Sequence, residues 1–207
     1  MHYGKDYESA FWNGSLMVYG DGDGELFNRF TKSVDVIGHE LTHGVNQHEA
    51  DLIYFGEAGA INESFSDVFG SLVKQRINKQ TVDEADWLIG VELFTDKVNG
   101  KGIRSMKAPG TAYDDPVLGK DPQPGHMKDI YIGTKDNGGV HINSGIPNRA
   151  FYLAAKEIGG YAWEKAGQIW YVSLCEKLDS KANIQRTSEV TIEVAGELYS
   201  QGSSEQK

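Results

Sequence analysis

"VIGHELTHGVNQHEADLIYFGEAGAINESFSDVFG", residues 36–70, decides how this chain is read. Apolar residues at Val34, Ile37, Leu41 and Val45 recur with helical spacing, which predicts a helix over about 31–48. His39 and His43 lie four positions apart on it, so both imidazoles face the same way and can meet one metal ion. Glu40 sits about 100° round the helix. It can lean over the ion without binding it, as a general base for a metal-activated water must. After a break, a second helix is predicted from about 60 to 78. It carries Asn62, Glu63 and Asp67. Glu63 can supply a third ligand and leave a fourth position open. Asp67 can accept a hydrogen bond from the outer nitrogen of His39, and Asn62 can do so for His43, fixing both tautomers. The bland alternative is a pair of ordinary amphipathic helices with solvated acids. Phe65, Val68 and Phe69 surround these acids, however, so the helix is read as largely buried. Buried acids need partners, and a zinc site provides one.

The rest of the chain narrows the classes. Its 207 residues suit one large domain or a domain and a half. Hydrophobic residues at 39% and charged residues at 24% are an ordinary globular mix. A net charge of −10 offers no basic stripe for nucleic acid. No apolar run approaches the roughly twenty residues of a membrane span. The first residues, "MHYGKDYESAFWNG", lack the apolar core of a signal peptide. Cys175 is the single cysteine, so an intrachain disulfide and a thiolate zinc cluster are excluded; its apolar surroundings favour burial over reactivity.

The expected fold class is mainly α, an α+β chain with a helical zinc lobe and a short N-terminal β remnant. "FWNGSLMVYG" reads as a strand entering a Gly-Asp loop. "EADWLIGVELF" suggests a short helix. Residues 99–142 hold four of the five prolines and are expected to form a long structured loop of functional weight. "GIPNRAFYLAAKEIGG" restarts helix with Pro147 in its first turn. "YAWEKAGQIWYVSLCEKL" and "QRTSEVTIEVAGELY" are two more helices, and the polar "SQGSSEQK" end is expected to fray. The division expected is 1–30, the end of a β-rich lobe, and 31–207, the helical zinc lobe.

The segments "HYGKDYESAFWNG", "VYGDGDG", "GHELTHGV", "LIYFGEAGAINESFSDVFG", "RSMKAPG" and "DNGGVHINSG" occur together in one order. In this the whole chain resembles the thermolysin-like zinc metallopeptidases, most nearly the protealysin type. The resemblance implies a zinc endopeptidase with His39, His43 and Glu63 as ligands to one zinc ion and Glu40 as base. It implies His141 as a transition-state histidine, Asp136 as its partner acid and Tyr54 as a phenol that helps it. Arg104 is implied to hold a substrate carbonyl, while Ser9, Ala10 and Trp12 grip an extended peptide backbone. Phe27, Phe30, Val36, Ile89, Leu93 and Ile103 are implied to line the pocket after the scissile bond. Cleavage on the N-terminal side of large hydrophobic residues is then expected, although plain core packing is the alternative for all six. The family is mostly secreted as zymogens, which implies an extracellular setting; the protealysin type leaves a cytoplasmic one open.

Three departures from the family pattern stand out. Ser9 replaces an asparagine and is expected to grip more weakly. Of the family's acidic double calcium site Asp35 and Asp86 remain, while Lys74, Leu88 and Val91 replace acids, so calcium there is not expected. By the resemblance, the sequence is expected to begin near the end of the family's N-terminal β lobe and to stop where the family usually has a last helix. The apolar strand at 9–20 is therefore expected to self-associate or to be poorly ordered. A catalytically weak zinc-binding fragment is the alternative function. A small-molecule zinc hydrolase is a further one, disfavoured by the backbone-gripping "SAFW" and by Arg104.

Overall fold

The helix predicted from its apolar spacing forms, with Ile37 and Val45 packed against the core and a polar face buried beside them. In a computed structural model, which describes residues 2–207, α1 spans Val34–His48. Leu41 is 55% exposed, whereas Asp35, His39, Thr42 and Asn46 are buried. The periodicity located the helix; its most buried residues are polar and satisfied by partners rather than by apolar contact.

That inner face lies on α2, Gly56–Asn78, which begins four residues before the expected start. The two helices cross at a glycine pair. A Cβ on Gly70 would fall 2.2 Å from the Asp35 carbonyl oxygen, and one on Gly38 would fall 2.9 Å from the Gly70 Cα. Only hydrogen fits between these backbones. The close crossing brings one turn of α1 onto one turn of α2 and so sets His39 and His43 against Glu63 and Asp67. The α2 helix is buried round most of its circumference, from Ala60 and Ile61 to Val68 and Leu72. It ends at Lys79, a left-handed cap whose N–H bonds to the Arg76 carbonyl.

The remaining helices pack around α2. They are α3 (Lys135–Asn143), α4 (Gly145–Ile158), α5 (Lys165–Val172), which runs on as a π-turn over Ser173–Lys177, and α6 (Ile184–Tyr199). Asn183 caps α6 by accepting from the Arg186 N–H at 2.8 Å. Phe65, Trp87, Phe151, Ile169, Leu174, Val190 and Val194 form the centre of the core. Cys175 is partly buried against it.

Strands are few and short. At the N-terminus β1 (Ala10–Trp12) and β2 (Met17–Tyr19) form an antiparallel hairpin with Phe11 opposite Val18. The expected single strand is thus a hairpin, turned at Asn13–Leu16. Its pairing bonds join Ser9 to Gly20 and Asn13 to Leu16. Alternation then leaves the main-chain groups of Ala10 and Trp12 on the outer edge. The helix expected at 84–94 is instead β3 (Leu88–Ile89) followed by a 3₁₀ turn at Val91–Leu93. β3 pairs with β4 (Arg104–Ser105), while β5 (Asp114–Asp115) pairs with β6 (Gly119–Lys120). The long segment before α3 is held by carboxylates: Asp121 accepts from the N–H groups of Gly110 and Ala112, and Asp115 from those of Val117 and Leu118. The C-terminal tail does not fray. Glu205 pairs with Lys165, and Gln206 donates to the Ile192 carbonyl at 3.2 Å.

Candidate active site

His39 and His43 project from the buried side of α1, and their Nε2 atoms lie 3.0 Å apart. Each outer nitrogen is occupied. His39 Nδ1 is 2.8 Å from Asp67 Oδ1, and His43 Nδ1 is 2.7 Å from Asn62 Oδ1. Asn46 also donates to Asn62 Oδ1, which fixes that amide as the acceptor. Both histidines therefore carry a proton at Nδ1 and turn Nε2 inward. Glu63 closes the group, with oxygens 3.4 Å from each Nε2. It is buried, and its Oε2 has no protein hydrogen-bond partner. Two facing ring nitrogens and a carboxylate require a cation between them, and this donor set is the one zinc takes. The three residues are the metal-competent cluster among the described residues.

Electrostatics point the same way. Burial lowers the His39 pKa, but hydrogen bonds and charge from Asp67 and Glu63 outweigh it and raise the pKa to about 10. Burial brings His43 down to about 4. Without metal, one proton thus occupies the cation's place. Burial works against ionised Glu63 and Asp67, yet neighbouring histidines and Arg104 hold both carboxyls below the usual range.

Glu40 stands beside this cluster, 5% exposed, with an Oε2 that has no protein partner. Burial raises its pKa to about 6. Tyr54 donates to Glu63 Oε1, and its hydroxyl is 3.2 Å from His141 Nε2. Burial and the Glu63 charge raise the phenol's pKa, so it stays protonated. His141 follows a four-residue left-handed turn, Asp136–Gly139, at the start of α3. Aspartate and asparagine tolerate that conformation at its first two positions, and glycines occupy the last two. The turn lets Asp136 bind the His141 ring at 2.6 Å and the His141 N–H at 2.8 Å. Burial opposes the His141 charge, but Glu63 and Asp136 raise its pKa overall.

Asp67 is shared. It accepts from Arg104 Nε at 2.7 Å and Nη2 at 2.6 Å, and from Asn148 Nδ2 at 2.8 Å. Asn148 in turn accepts from Ser64 at 2.8 Å. Sequence reading paired Asp67 with His39 alone and missed Asn148, a polar residue on the inner face of α4 eighty-one positions away. A buried asparagine in an otherwise apolar helix face was the available signal.

These side chains line a cleft of ≈ 470 Å³ walled by Ser9, Ala10, Phe11 and Trp12. Trp12 lies over Gly44 of α1 and donates to Gln47 at 2.7 Å. Ser9 Oγ donates to the Ala10 carbonyl at 3.1 Å, a local bond that the expected weaker grip did not include. A second pocket of ≈ 260 Å³ adjoins Arg104 and His141 and has apolar walls from Phe27, Phe94, Ile103 and Leu118. Of the six expected pocket residues Phe27 and Ile103 line it, and the other four take the alternative of core packing. Ile89 and Leu93 are fully buried, and Phe30 and Val36 nearly so; all four belong to the core. Phe30 stacks on Phe27 and so backs the wall without forming it.

A sequence model of the thermolysin metallopeptidase alpha-helical domain matches residues 50–207, and one of the catalytic domain matches residues 1–47. The chain belongs to the thermolysin metallopeptidase family. It is 59% identical over 200 residues to an extracellular metalloprotease of Pectobacterium carotovorum subsp. carotovorum, covering 96% of this chain and 58% of that protein. Protease PrtS of Photorhabdus sp. (strain Az29) is 57% identical over 202 residues, covering 96% and 54%. The solved structure of the precursor of protealysin, a metalloproteinase from Serratia proteamaculans, superposes with a TM-score of 0.96 at 62% identity, covering 99% of this chain and 64% of that one. This thermolysin-family chain spans little more than half the length of the curated relatives it matches. Lys74 Nζ lies 3.0 Å from Asp35, 3.1 Å from Asp86 and 2.8 Å from the Leu88 carbonyl.

Proposed function

We propose that this chain is the catalytic part of a zinc endopeptidase that cuts peptides on the N-terminal side of large hydrophobic residues. The reading is carried by one observation: the two inward Nε2 atoms and Glu63 converge beside an unpartnered Glu40 oxygen at the floor of a strand-walled cleft. His39, His43 and Glu63 are the ligands. Zinc, when bound there, supplies Lewis acidity that makes water a nucleophile at neutral pH and polarises a carbonyl.

The protein's own groups do the rest. The outer edge of β1 offers the Ala10 and Trp12 main chain to an extended peptide, in the manner of strand addition. Arg104, its guanidinium fixed by Asp67, donates to a substrate carbonyl. Glu40 takes the proton of the attacking water and returns it to the leaving nitrogen. Tyr54 and His141 donate to the developing oxyanion, each such donor being worth about 10²–10³ in rate. The apolar pocket at Phe27 and Ile103 favours a large hydrophobic side chain after the scissile bond. At the acidic remnant, the Lys74 ammonium takes the role of a calcium ion. The setting is extracellular, as the name of the Pectobacterium relative has it; among the described residues no helix is long and apolar enough to cross a membrane.

Zinc analysis combined with cleavage of an internally quenched peptide tests the reading. One zinc per chain and cuts before hydrophobic residues support it. Zinc without cleavage would favour the weak-fragment alternative, and neither would refute both.

A further inference from the structure

We infer that Gln123 is a positioning residue for His141, gripping that residue's main-chain carbonyl from the neighbouring loop. The His141 ring is half-exposed, with 51% of its side-chain surface open, so packing alone does not set its direction. Its main chain is instead clamped on both sides. On the N-terminal side, Asp136 Oδ2 accepts from the N–H groups of His141 and Ile142. On the C-terminal side, Gln123 Nε2 donates to the His141 carbonyl at 2.7 Å and to Ser144 Oγ at 2.9 Å, while Ser144 Oγ donates to the same carbonyl.

The loop that carries Gln123 is itself fixed. Asp121 is buried, accepts from the N–H groups of Gly110 and Ala112, and accepts from the Gln123 N–H at 3.1 Å. The reach across depends on Gly145, where a Cβ would fall 2.9 Å from Gln123 Cβ and 2.7 Å from the Pro124 carbonyl oxygen. Gln123 also lines the apolar pocket next to His141, so the grip joins the pocket wall to the oxyanion side of the cleft.

The amide's orientation is determined, because the His141 carbonyl can only accept. The consequence is an unused acceptor: Gln123 is 5% exposed and its Oε1 has no protein partner. A buried polar atom left unmatched calls for an explanation. An apolar side chain of the same length would fill the space without that loss, so the value of the amide lies in its donor face and in what that face holds.

The kinetic consequence rests on the proposed role of His141; the grip itself does not. The test uses the zinc-loaded full chain and its Gln123→Met and Gln123→Glu variants. The ring N–H of His141, bonded to Asp136, is followed by ¹H–¹⁵N NMR, with the His39 N–H bonded to Asp67 as internal reference. In Gln123→Met the His141 resonance is expected to move or broaden while that of His39 stays. Peptide turnover should fall about tenfold with KM within about twofold, as for a slightly misplaced catalytic group. In Gln123→Glu the carboxyl can donate to the carbonyl only when protonated, so the His141 signal should recover at acid pH and be lost above it. This comparison within one folded variant answers the case in which Gln123→Met fails to fold. An unmoved His141 resonance, or an equal shift at His39, overturns the inference. If the wild type cleaves no peptide, the proposed function fails while the ring resonances still decide the grip.

Discussion

At His39 the protein's electrostatics make a chemical demand that zinc and a proton meet differently. With a pKa of about 10 His39 holds its extra proton at neutral pH, whereas His43, at about 4, holds none. A metal ligand must be neutral, so zinc binding at pH 7 should release about one proton. Calorimetry in buffers of different ionisation enthalpy measures this directly; zinc uptake with no proton released would contradict the assignment of His39. The convergence of His39, His43 and Glu63, with Glu40 beside them, was legible in the sequence because it depends on spacing within two helices. Asn62 and Asp67 were legible for the same reason. Arg104's bidentate bond to Asp67, the Asn148–Ser64 extension and Gln123 were not, because each joins segments far apart in the chain through a loop whose path no periodicity encodes.

Between elements, the α1–α2 crossing governs the site. Gly70→Ala would set a methyl 2.2 Å from the Asp35 carbonyl oxygen and force the helices apart. We expect a loss of about 1–3 kcal/mol, as for other overpacked positions, together with weaker zinc binding. Thermal melts and zinc titration check this; an unchanged melting temperature and affinity would show that the crossing tolerates a methyl. The glycines were visible in the sequence, but nothing local revealed that they face one another. The same limit hides the polar inner face of α1. Apolar spacing reports burial by hydrophobic contact, whereas this face is buried by hydrogen bonds and ion pairs.

Lys74 ties α2 to the β3 segment. Asp35 is fully buried, so Lys74→Met would leave its charge unpaired and should cost about 3–5 kcal/mol. Burial lowers the Lys74 pKa, but Asp35 and Asp86 outweigh it and raise it above the ordinary lysine value. A raised lysine stabilises fully below its unfolded pKa and loses that contribution only as pH rises through the folded one. The contribution should therefore be flat across neutral pH and vanish only in strong alkali. Denaturant melts of wild type and Lys74→Met from pH 6 to pH 11 or so test it. A melting temperature that climbs with millimolar calcium, and reverts in Asp35→Asn, would show that calcium rather than Lys74 is the working cation.

Across the whole molecule, the β1–β2 hairpin presents a strand edge open to another chain. On its outer edge β1 has no strand partner at Ala10 and Trp12, and Leu16 at the hairpin tip is 66% exposed. Such an edge invites strand pairing. We expect concentration-dependent self-association by light scattering, suppressed by a cleft-binding peptide that competes for the same edge. A strict monomer with residues 9–20 as protected from hydrogen exchange as α1 and α2 would show the hairpin to be self-sufficient. The mainly helical class and the helices α1, α2, α4, α5 and α6 followed from periodicity; α3, which lies mostly within the expected loop over 99–142, the hairpin, the short sheet at 88–105 and the ordered tail did not, because left-handed turns, long-range pairing and tail docking leave little periodic signature.

The central claim is that Glu40 serves the reaction without holding the metal. The measurement is zinc content and internally quenched peptide turnover of the full chain and of Glu40→Gln, side by side. The account predicts equal zinc in both and turnover lower by at least about 10² in the variant, the lower range for a lost general base. Loss of zinc from Glu40→Gln, or undiminished turnover with zinc retained, would contradict it.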